Sequence, residues 1–416
     1  MTTTAGETED KVVVSKKWIL VFVFAFLALL ADGADVMYLA LSLPSLKQEF
    51  SLTNVQAGAL GSVTLAAMAV GGIYGGWACD RFGRVRTLSI AVFLFSVGTS
   101  ILGLTHGYGQ FAVVRFFGSL GLGAVFVCSN TLMFEYAPAK YRTTILGALQ
   151  SGWTIGYVVA SLVSSFVIPD LGWRYLFFTS IVPVVVALGM RAFVQEPACY
   201  LEAKAARALN RLQGHSKRAS IIRQLLSDME SRKRFVIWTI ATGLLQFGYY
   251  GVVNWMPSYL QEQLHIKFSA IAGYMMATFL ASTLGKISAG WLADKIGCRA
   301  MFFIANAATA AFIPVVVFWH SPANIAYLMT LFGFFYGMPF GVTATYMGQS
   351  FNTSIRGLAI GSTYNIGRIG GVAAPIVIGY LAMGGNIGTG FLVMCVAFLL
   401  CGLVPSTLIR GKTYAA

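Results

Sequence analysis

Charge is what this chain has least of. Only 11% of its 416 residues are Asp, Glu, Lys or Arg, against 57% hydrophobic, and the mean hydropathy is +0.73. Soluble domains carry roughly 25% charged residues, which excludes one here. Histidine is scarce as well. His106, His215, His265 and His320 all fall in loops or at the ends of apolar runs, so any proton handled inside a run needs a carboxylate. The six cysteines, Cys79, Cys128, Cys199, Cys298, Cys395 and Cys401, have neither disulfide nor metal-ligand spacing. There is no phosphate-cradling P-loop, no metal cluster and no nucleophile motif, which argues against an enzyme and against any bound cofactor.

What is present is apolar sequence in long runs. Twelve stretches of about twenty residues, bounded by polar or Gly/Pro breaks, follow one another from 18–43 to 387–409. The 45 glycines are spread through them, as close helix packing in lipid favours. The first run is too long for a signal peptide and leads straight into further spans. The net charge of +14 points to a membrane surface rather than nucleic acid, because of where the charge lies. Lys and Arg fall at the N-terminus (Lys11, Lys16, Lys17) and in every second loop after it (Arg81 to Arg86, Lys140 and Arg142, Lys204 to Arg234, Lys295 and Arg299, Arg356), then at Arg410 and Lys412. That alternation predicts a multi-pass protein of the plasma or bacterial inner membrane with both termini cytoplasmic.

A shift of 214 residues superimposes the two halves of the sequence. Thr64/Thr278, Gly71/Gly285, Gly76/Gly290, Trp77/Trp291, Asp80/Asp294, Gly83/Gly297, Gly123/Gly337, Arg142/Arg356 and Gly147/Gly361 all match, and Glu135 meets its amide, Gln349. Six spans in each half give both the same orientation, hence a parallel repeat about an axis along the membrane normal. The expected organisation is a cytoplasmic tail (1–17), a six-helix bundle (18–194), a basic cytoplasmic connector (195–234), a second six-helix bundle (235–409) and a short cytoplasmic tail (410–416).

The loop Gly76-Trp77-Ala78-Cys79-Asp80-Arg81-Phe82-Gly83-Arg84-Val85-Arg86 recurs as Gly290-Trp291-Leu292-Ala293-Asp294-Lys295-Ile296-Gly297-Cys298-Arg299. It supplies a tight turn, surface cations and an acid able to meet a helix N-terminus. With Arg115-Phe116-Phe117-Gly118-Ser119-Leu120-Gly121-Leu122-Gly123 and Glu135-Tyr136-Ala137-Pro138-Ala139-Lys140-Tyr141-Arg142, these loops make the chain resemble the major facilitator superfamily over nearly its whole length. The resemblance implies an all-α membrane fold of twelve transmembrane helices in two pseudo-symmetric bundles. It implies, too, a gating latch formed by Asp80, Arg84, Glu135, Arg142, Asp294 and Arg356. Asp32-Gly33-Ala34-Asp35 in the first run, and Gly367-Arg368-Ile369-Gly370-Gly371 followed by Pro375 in the eleventh, look like the aromatic acid:proton symporter family. That family commonly has an aromatic residue where Ala34 stands, a departure that bears on the substrate more than on its class.

The two aspartates are chemically expensive. A carboxylate at mid-membrane costs at least ~2.5–3.5 kcal/mol, and two of them three residues apart occupy neighbouring positions on one helical face. They are expected to titrate as a coupled pair that loads a proton, with Arg115 either in their network or in a purely structural pairing. One acid alone could equally neutralise Arg115 or cap a helix broken at Gly33. Arg368, about ten residues into its run, suits bidentate recognition of a carboxylate, or alternatively an ion pair with a span-one aspartate. Lys286, one turn before Gly290, is read as close enough to the surface to snorkel. Tyr38, Gln150, Gln246, Tyr249, Tyr250, Asn254, Tyr336, Tyr364 and Asn365 are the polar and aromatic candidates to line a substrate cavity. The expected function is a proton-coupled symporter, working as a monomer in the lipid bilayer, that imports a small anionic carboxylate, an aromatic one by the family resemblance. A carrier of non-aromatic mono- or dicarboxylates or of an acidic sugar such as sialic acid is the alternative, and a non-transporting membrane sensor a third reading. No cofactor is expected beyond the proton as coupling ion.

Overall fold

The computed structural model describes residues 17–52, 54–212, 228–260, 264–266, 268–321, 323–382 and 387–409. Both terminal tails, apart from Lys17, and the centre of the connector lie outside this set. The described residues form helices with no strand: α1 (Lys17–Glu49), α2 (Asn54–Phe82), α3 (Arg84–Leu102), α4 (Tyr108–Tyr136), α5 (Arg142–Leu171), α6 (Trp173–Phe178), α7 (Pro183–Phe193) and α8 (Ala198–Leu212). The second half continues with α9 (Met229–Ser258), α10 (Phe268–Ile296), α11 (Cys298–Phe318), α12 (Ile325–Ser350), α13 (Arg356–Ile366), α14 (Arg368–Ala382) and α15 (Ile387–Leu408). Ten stretches of the described residues are long and apolar enough to cross a membrane. By the repeat, α10 and the consecutive pair α13–α14 complete the twelve, and α6 and α7, joined by a 3-10 turn at Thr179–Ile181, together make the sixth. Large apolar side chains such as Leu162, Phe166 and Val185 are exposed on the outer helix faces, where lipid is the solvent.

Each half repeats one packing scheme. α2 lies along α4, and α3 against α4 and α7; correspondingly α10 lies along α12, and α11 against α12 and α15. α1 packs on α5 as α9 packs on α13 and α14. The glycines explain how close the backbones come. A Cβ at Gly123 would sit 1.9 Å from the Met68 carbonyl oxygen, and one at its counterpart Gly337 would sit 2.2 Å from that of Ser282. Without a hydrophobic drive between helices in lipid, such close backbone contact is what holds a bundle together. The halves meet along two related seams, α2 against α13 and α5 against α10.

The repeated loop is a one-residue turn. Gly83 (φ 115°) separates α2 from α3, and Gly297 (φ 90°) separates α10 from α11. This left-handed backbone is open to glycine at little cost, which is why the motif needs glycine at that place. Both turns lie at the same end of the bundle, called here the turn end.

Candidate functional site

A cavity of about 690 Å³ lies between the halves, lined by α1, α2, α4 and α5 on one side and by α9, α10, α12, α13 and α14 on the other. Its wall runs from Asp32 and Lys286 to Leu43, Gly61 and Val253, residues that approach the end opposite the turns. At the turn end the seams close it. A Cβ on Gly76 would meet the Gly357 carbonyl oxygen at 2.4 Å, and one on Gly290 would meet that of Thr143 at the same distance.

The two aspartates of α1 part company. Asp35 forms an ion pair with Arg115 of α4 at 2.5 Å and accepts a hydrogen bond from Thr99 of α3. Arg115 donates its Nε to Thr64 Oγ1 at 3.0 Å, so α1, α2, α3 and α4 together hold this charge pair, with only the Arg115 Nη2 left without a partner among the described residues. Asp32 is equally buried but lines the cavity, and its Oδ1 has no hydrogen-bond partner among the described residues. It feels the charges of Arg368, Asp35 and Arg115 without an ion pair to any arginine within 4 Å. Three residues of helical spacing thus hold one carboxylate compensated and one waiting.

Arg368 opens α14, directly after Gly367, where Thr242 of α9 presses in and leaves no room for a side chain. Its Nε donates to Asn365 Oδ1 at 2.9 Å and its Nη1 reaches the Met68 thioether at 3.7 Å. No carboxylate among the described residues comes within ion-pair distance of it, so its fork is not spent on a span-one aspartate. Beside it Tyr364 stacks on Phe126 at 4.0 Å, an aromatic shelf bridging the halves, while Gln246 donates to the Tyr364 carbonyl at 2.6 Å and fixes the shelf from α9. Trp153 and Tyr157 of α5, with Tyr249 and Phe340, continue the aromatic wall. Such faces suit a flat, conjugated ligand.

At the turn end, each loop acid caps a helix of the opposite half. Asp80 accepts from the backbone N–H of Gly357 (3.2 Å) and Leu358 (2.8 Å) at the start of α13. Asp294 accepts from the N–H of Thr143 and Thr144, both at 2.8 Å, at the start of α5, and from Thr144 Oγ1 at 2.6 Å. A carboxylate on a helix N-terminus is favoured by the orphan donors and the dipole. Arg84 grips Glu135 with two 3.0 Å bonds and lies 3.3 Å from Asp80, and Arg356 lies 3.6 Å from Glu135. Arg142 and Arg356 each place a guanidinium over the ring of Phe134, at 4.7 and 4.5 Å. The helix α8 joins this cluster through Tyr200, whose ring lies under Arg84 and whose hydroxyl donates to the Arg81 carbonyl at 3.2 Å.

The family model described as Major Facilitator Superfamily matches residues 24–288 and 272–413, together nearly the whole chain. The chain belongs to the major facilitator superfamily. It is 52% identical to a cis,cis-muconate transport protein of Acinetobacter baylyi over 96% of both chains. It is 27% identical to a gentisate transporter of Corynebacterium glutamicum, covering 92% of this chain and 86% of that one. Its fold matches a solved structure of a proton:xylose symporter with a TM-score of 0.79, at 18% identity over 96% of this chain and 98% of that one. The protein is therefore a multi-pass carrier of this superfamily and not an enzyme.

Within this major facilitator fold, Asp32, Arg115, Gln150, Gln246, Tyr249, Tyr250, Tyr364 and Arg368 line the cavity. Three candidates do not. Tyr38 points into the core, accepting from Thr179 at 3.1 Å; Tyr336 stands behind Tyr249, its hydroxyl on the Tyr249 carbonyl; Asn365 is spent orienting Arg368. Their polarity in an apolar run marks a hydrogen bond to a neighbouring helix, which spacing along one helix cannot distinguish from a wall position. The side chain of Asn254 lies outside the described residues. Lys286 is a correction. It is buried, lines the cavity and does not snorkel, because α10 continues to Ile296 and leaves it about 15 Å from the helix end. Phe126, Trp153 and Phe340 had no signal beyond being aromatic in an apolar run.

Proposed function

We propose that the chain is a proton-coupled symporter that imports an organic acid anion, an aromatic or conjugated carboxylate, by alternating access. The observation that carries this reading is the pair of uncompensated opposite charges in one cavity: Asp32 with an orphaned oxygen, and Arg368 with no carboxylate partner. Arg368 receives the carboxylate on its fork, the aromatic shelf of Tyr364 and Phe126 takes the flat body, and Asp32 takes the proton. Filling both sites neutralises Asp32 and Arg368 and lets the halves rock, because only a ligand with different affinity for the two states can shift them.

The basic loops Arg81 to Arg86 and Lys295 to Arg299 lie at the turn end, so the positive-inside rule puts that end in the cytoplasm of an inner membrane. The cavity then faces outward, with the Asp80 and Asp294 caps as the cytoplasmic latch. The names of the relatives support the substrate class, since muconate and gentisate both carry carboxylates on conjugated frames. The proton gradient as driving force and function as a monomer belong to the same proposal.

The test is uptake of labelled benzoate and cis,cis-muconate into proteoliposomes with an imposed pH gradient, acid outside. Accumulation that collapses when the gradient is removed is expected, with Asp32→Asn losing accumulation. Uphill uptake that ignores the pH gradient, or full accumulation by Asp32→Asn, would sink the reading.

A further inference from the structure

The cavity holds one cation more than the uptake of a single carboxylate needs. Lys286 of α10 is buried, and its Nζ reaches only neutral oxygens, the Gln150 carbonyl at 3.2 Å and Thr154 Oγ1 at 3.5 Å. No carboxylate among the described residues lies within ion-pair distance of it. A lysine left like this in a dry interior is costly in its charged form unless something anionic meets it.

Its place relative to Arg368 follows from the repeat. The shift of 214 residues carries Gly72 onto Lys286 and Thr154 onto Arg368. Arg368 leans on α2 through Met68, and Lys286 leans on α5 through Gln150 and Thr154. The α2–α14 and α5–α10 contacts are therefore equivalent positions related by the pseudo-two-fold axis, with a cation placed on a different helix in each. Both cations come from the second-half wall of one cavity, Arg368 beside α2 and Lys286 beside α5, with Trp153, Tyr249 and Tyr364 also lining it.

We infer that the site is built for a dianion: a dicarboxylate whose ends dock on Arg368 and Lys286 and whose conjugated middle lies along the aromatic wall. The charges agree. Asp35 and Arg115 cancel each other at 2.5 Å, leaving Arg368 and Lys286 against Asp32. With Asp32 protonated, the cavity carries two positive charges, and a dianion brings it to zero. A monocarboxylate leaves one buried positive charge uncompensated, and the loaded carrier then meets a penalty on closing that the dicarboxylate avoids. Lys286 is a specificity-determining residue in this scheme, the group that separates two carboxylates from one.

This inference rests on the carboxylate-import reading, and the experiment separates their failures. Inhibition of labelled uptake is measured in proteoliposomes with cis,cis-muconate, its monomethyl ester and benzoate as probes. Wild type is expected to prefer the diacid over the monoester by roughly 30-fold, as loss of one partner of a desolvated charge pair implies. Lys286→Met should bring that ratio to about one, and Lys286→Arg should restore most of it, a rescue that a purely packing role would not give. A wild type that handles benzoate or the monoester as well as the diacid overturns the inference and leaves carboxylate import standing. Undiminished preference in Lys286→Met overturns it too. Should that variant fail to insert, the wild-type ratio alone decides. Absence of uptake for every acid refutes both readings.

Discussion

Neutralising one cap at the turn end should open that end by a calculable amount, and the chain contains a reporter for it. Asp294 makes three short hydrogen bonds to the start of α5, two from backbone N–H groups and one from Thr144 Oγ1. Asp294→Asn keeps the shape but removes the charge, and turns one acceptor into a donor that faces other donors. Bonds to a charged group contribute ~1.5–3 kcal/mol each against ~0.5–1.5 for neutral ones, so about 1 kcal/mol is lost per bond. The interaction with the helix dipole, ~0.3–1 kcal/mol, goes as well. Discounting for relaxation at the rim, the closed turn end loses about 2–3 kcal/mol, a factor of about 30–150 in the equilibrium between closed and open at ~1.4 kcal/mol per tenfold. Cys298 reads this out. It is buried at the seam, with its sulfur 3.4 Å from Thr143 Oγ1 of the opposite half, and parting α5 from α11 uncovers it. In a background with the other five cysteines replaced, N-ethylmaleimide should alkylate Cys298 about 30–150 times faster in Asp294→Asn than in its parent, since reaction through a rapid opening follows the open population. Asp80→Asn, which uncaps α13 in the mirror position, should accelerate the same thiol. A rate that stays within threefold of the parent in both variants refutes the idea that the caps hold the seam closed.

Two further outcomes follow from the same geometry. Asp35→Asn strands the buried Arg115 guanidinium and should destabilise the protein by about 3–5 kcal/mol, as removal of one partner from a buried pair does, whereas Asp32→Asn should leave thermal stability in detergent near wild type; equal melting temperatures for the two variants would contradict the division drawn between these acids. Gly123→Ala forces a methyl to within 1.9 Å of the Met68 carbonyl and should lower the melting temperature by several degrees, while Gly61→Ala meets nothing within 4 Å and should not, a contrast that a paired thermal-shift measurement checks.

The sequence made the scaffold legible because its signals are local. Run length, loop charge and the 214-residue repeat each need only the linear order, and Asp32, Asp35 and Arg368 stand out because charge in an apolar run is rare. What the sequence could not supply is which side chain faces which helix. Asp32 and Asp35 occupy neighbouring positions, yet the partner that tells them apart is Arg115, 80 residues away. Tyr336 and Tyr249 look equivalent as polar aromatics, but one lies behind the other, stacked at 5.0 Å. Lys286 differs from its sequence expectation for a related reason. Proximity to a loop motif is not proximity to the surface, because the turn at Gly297 comes only after α10 has run on to Ile296.

The pattern of kept and broken symmetry says which positions act twice and which act once. The capping acids Asp80 and Asp294, the turn glycines Gly83 and Gly297, and the seam glycines Gly76 and Gly290 are all paired by the repeat. Closing the turn end requires both seams to shut together, and the capping and close-packing contacts exist in duplicate for it. The cavity has no such requirement, because one ligand is asymmetric with respect to the axis. There the repeat is broken at each charged wall position: Asp32 faces Gln246 in the alignment of halves, Lys286 faces Gly72, Arg368 faces Thr154, and Arg115 faces Met329. The same break appears at the turn end, where Arg84 and Glu135 of the first half stand against Cys298 and Gln349 of the second. At the turn end the α2–α13 side therefore carries an ion pair across the halves, Glu135 with Arg356 at 3.6 Å, while the α5–α10 side is held by the Asp294 cap and the Thr143–Cys298 contact. If closure is cooperative, the α5–α10 seam is where opening begins, because uncompensating the buried Glu135–Arg356 pair across the other seam costs more than parting a thiol from a hydroxyl.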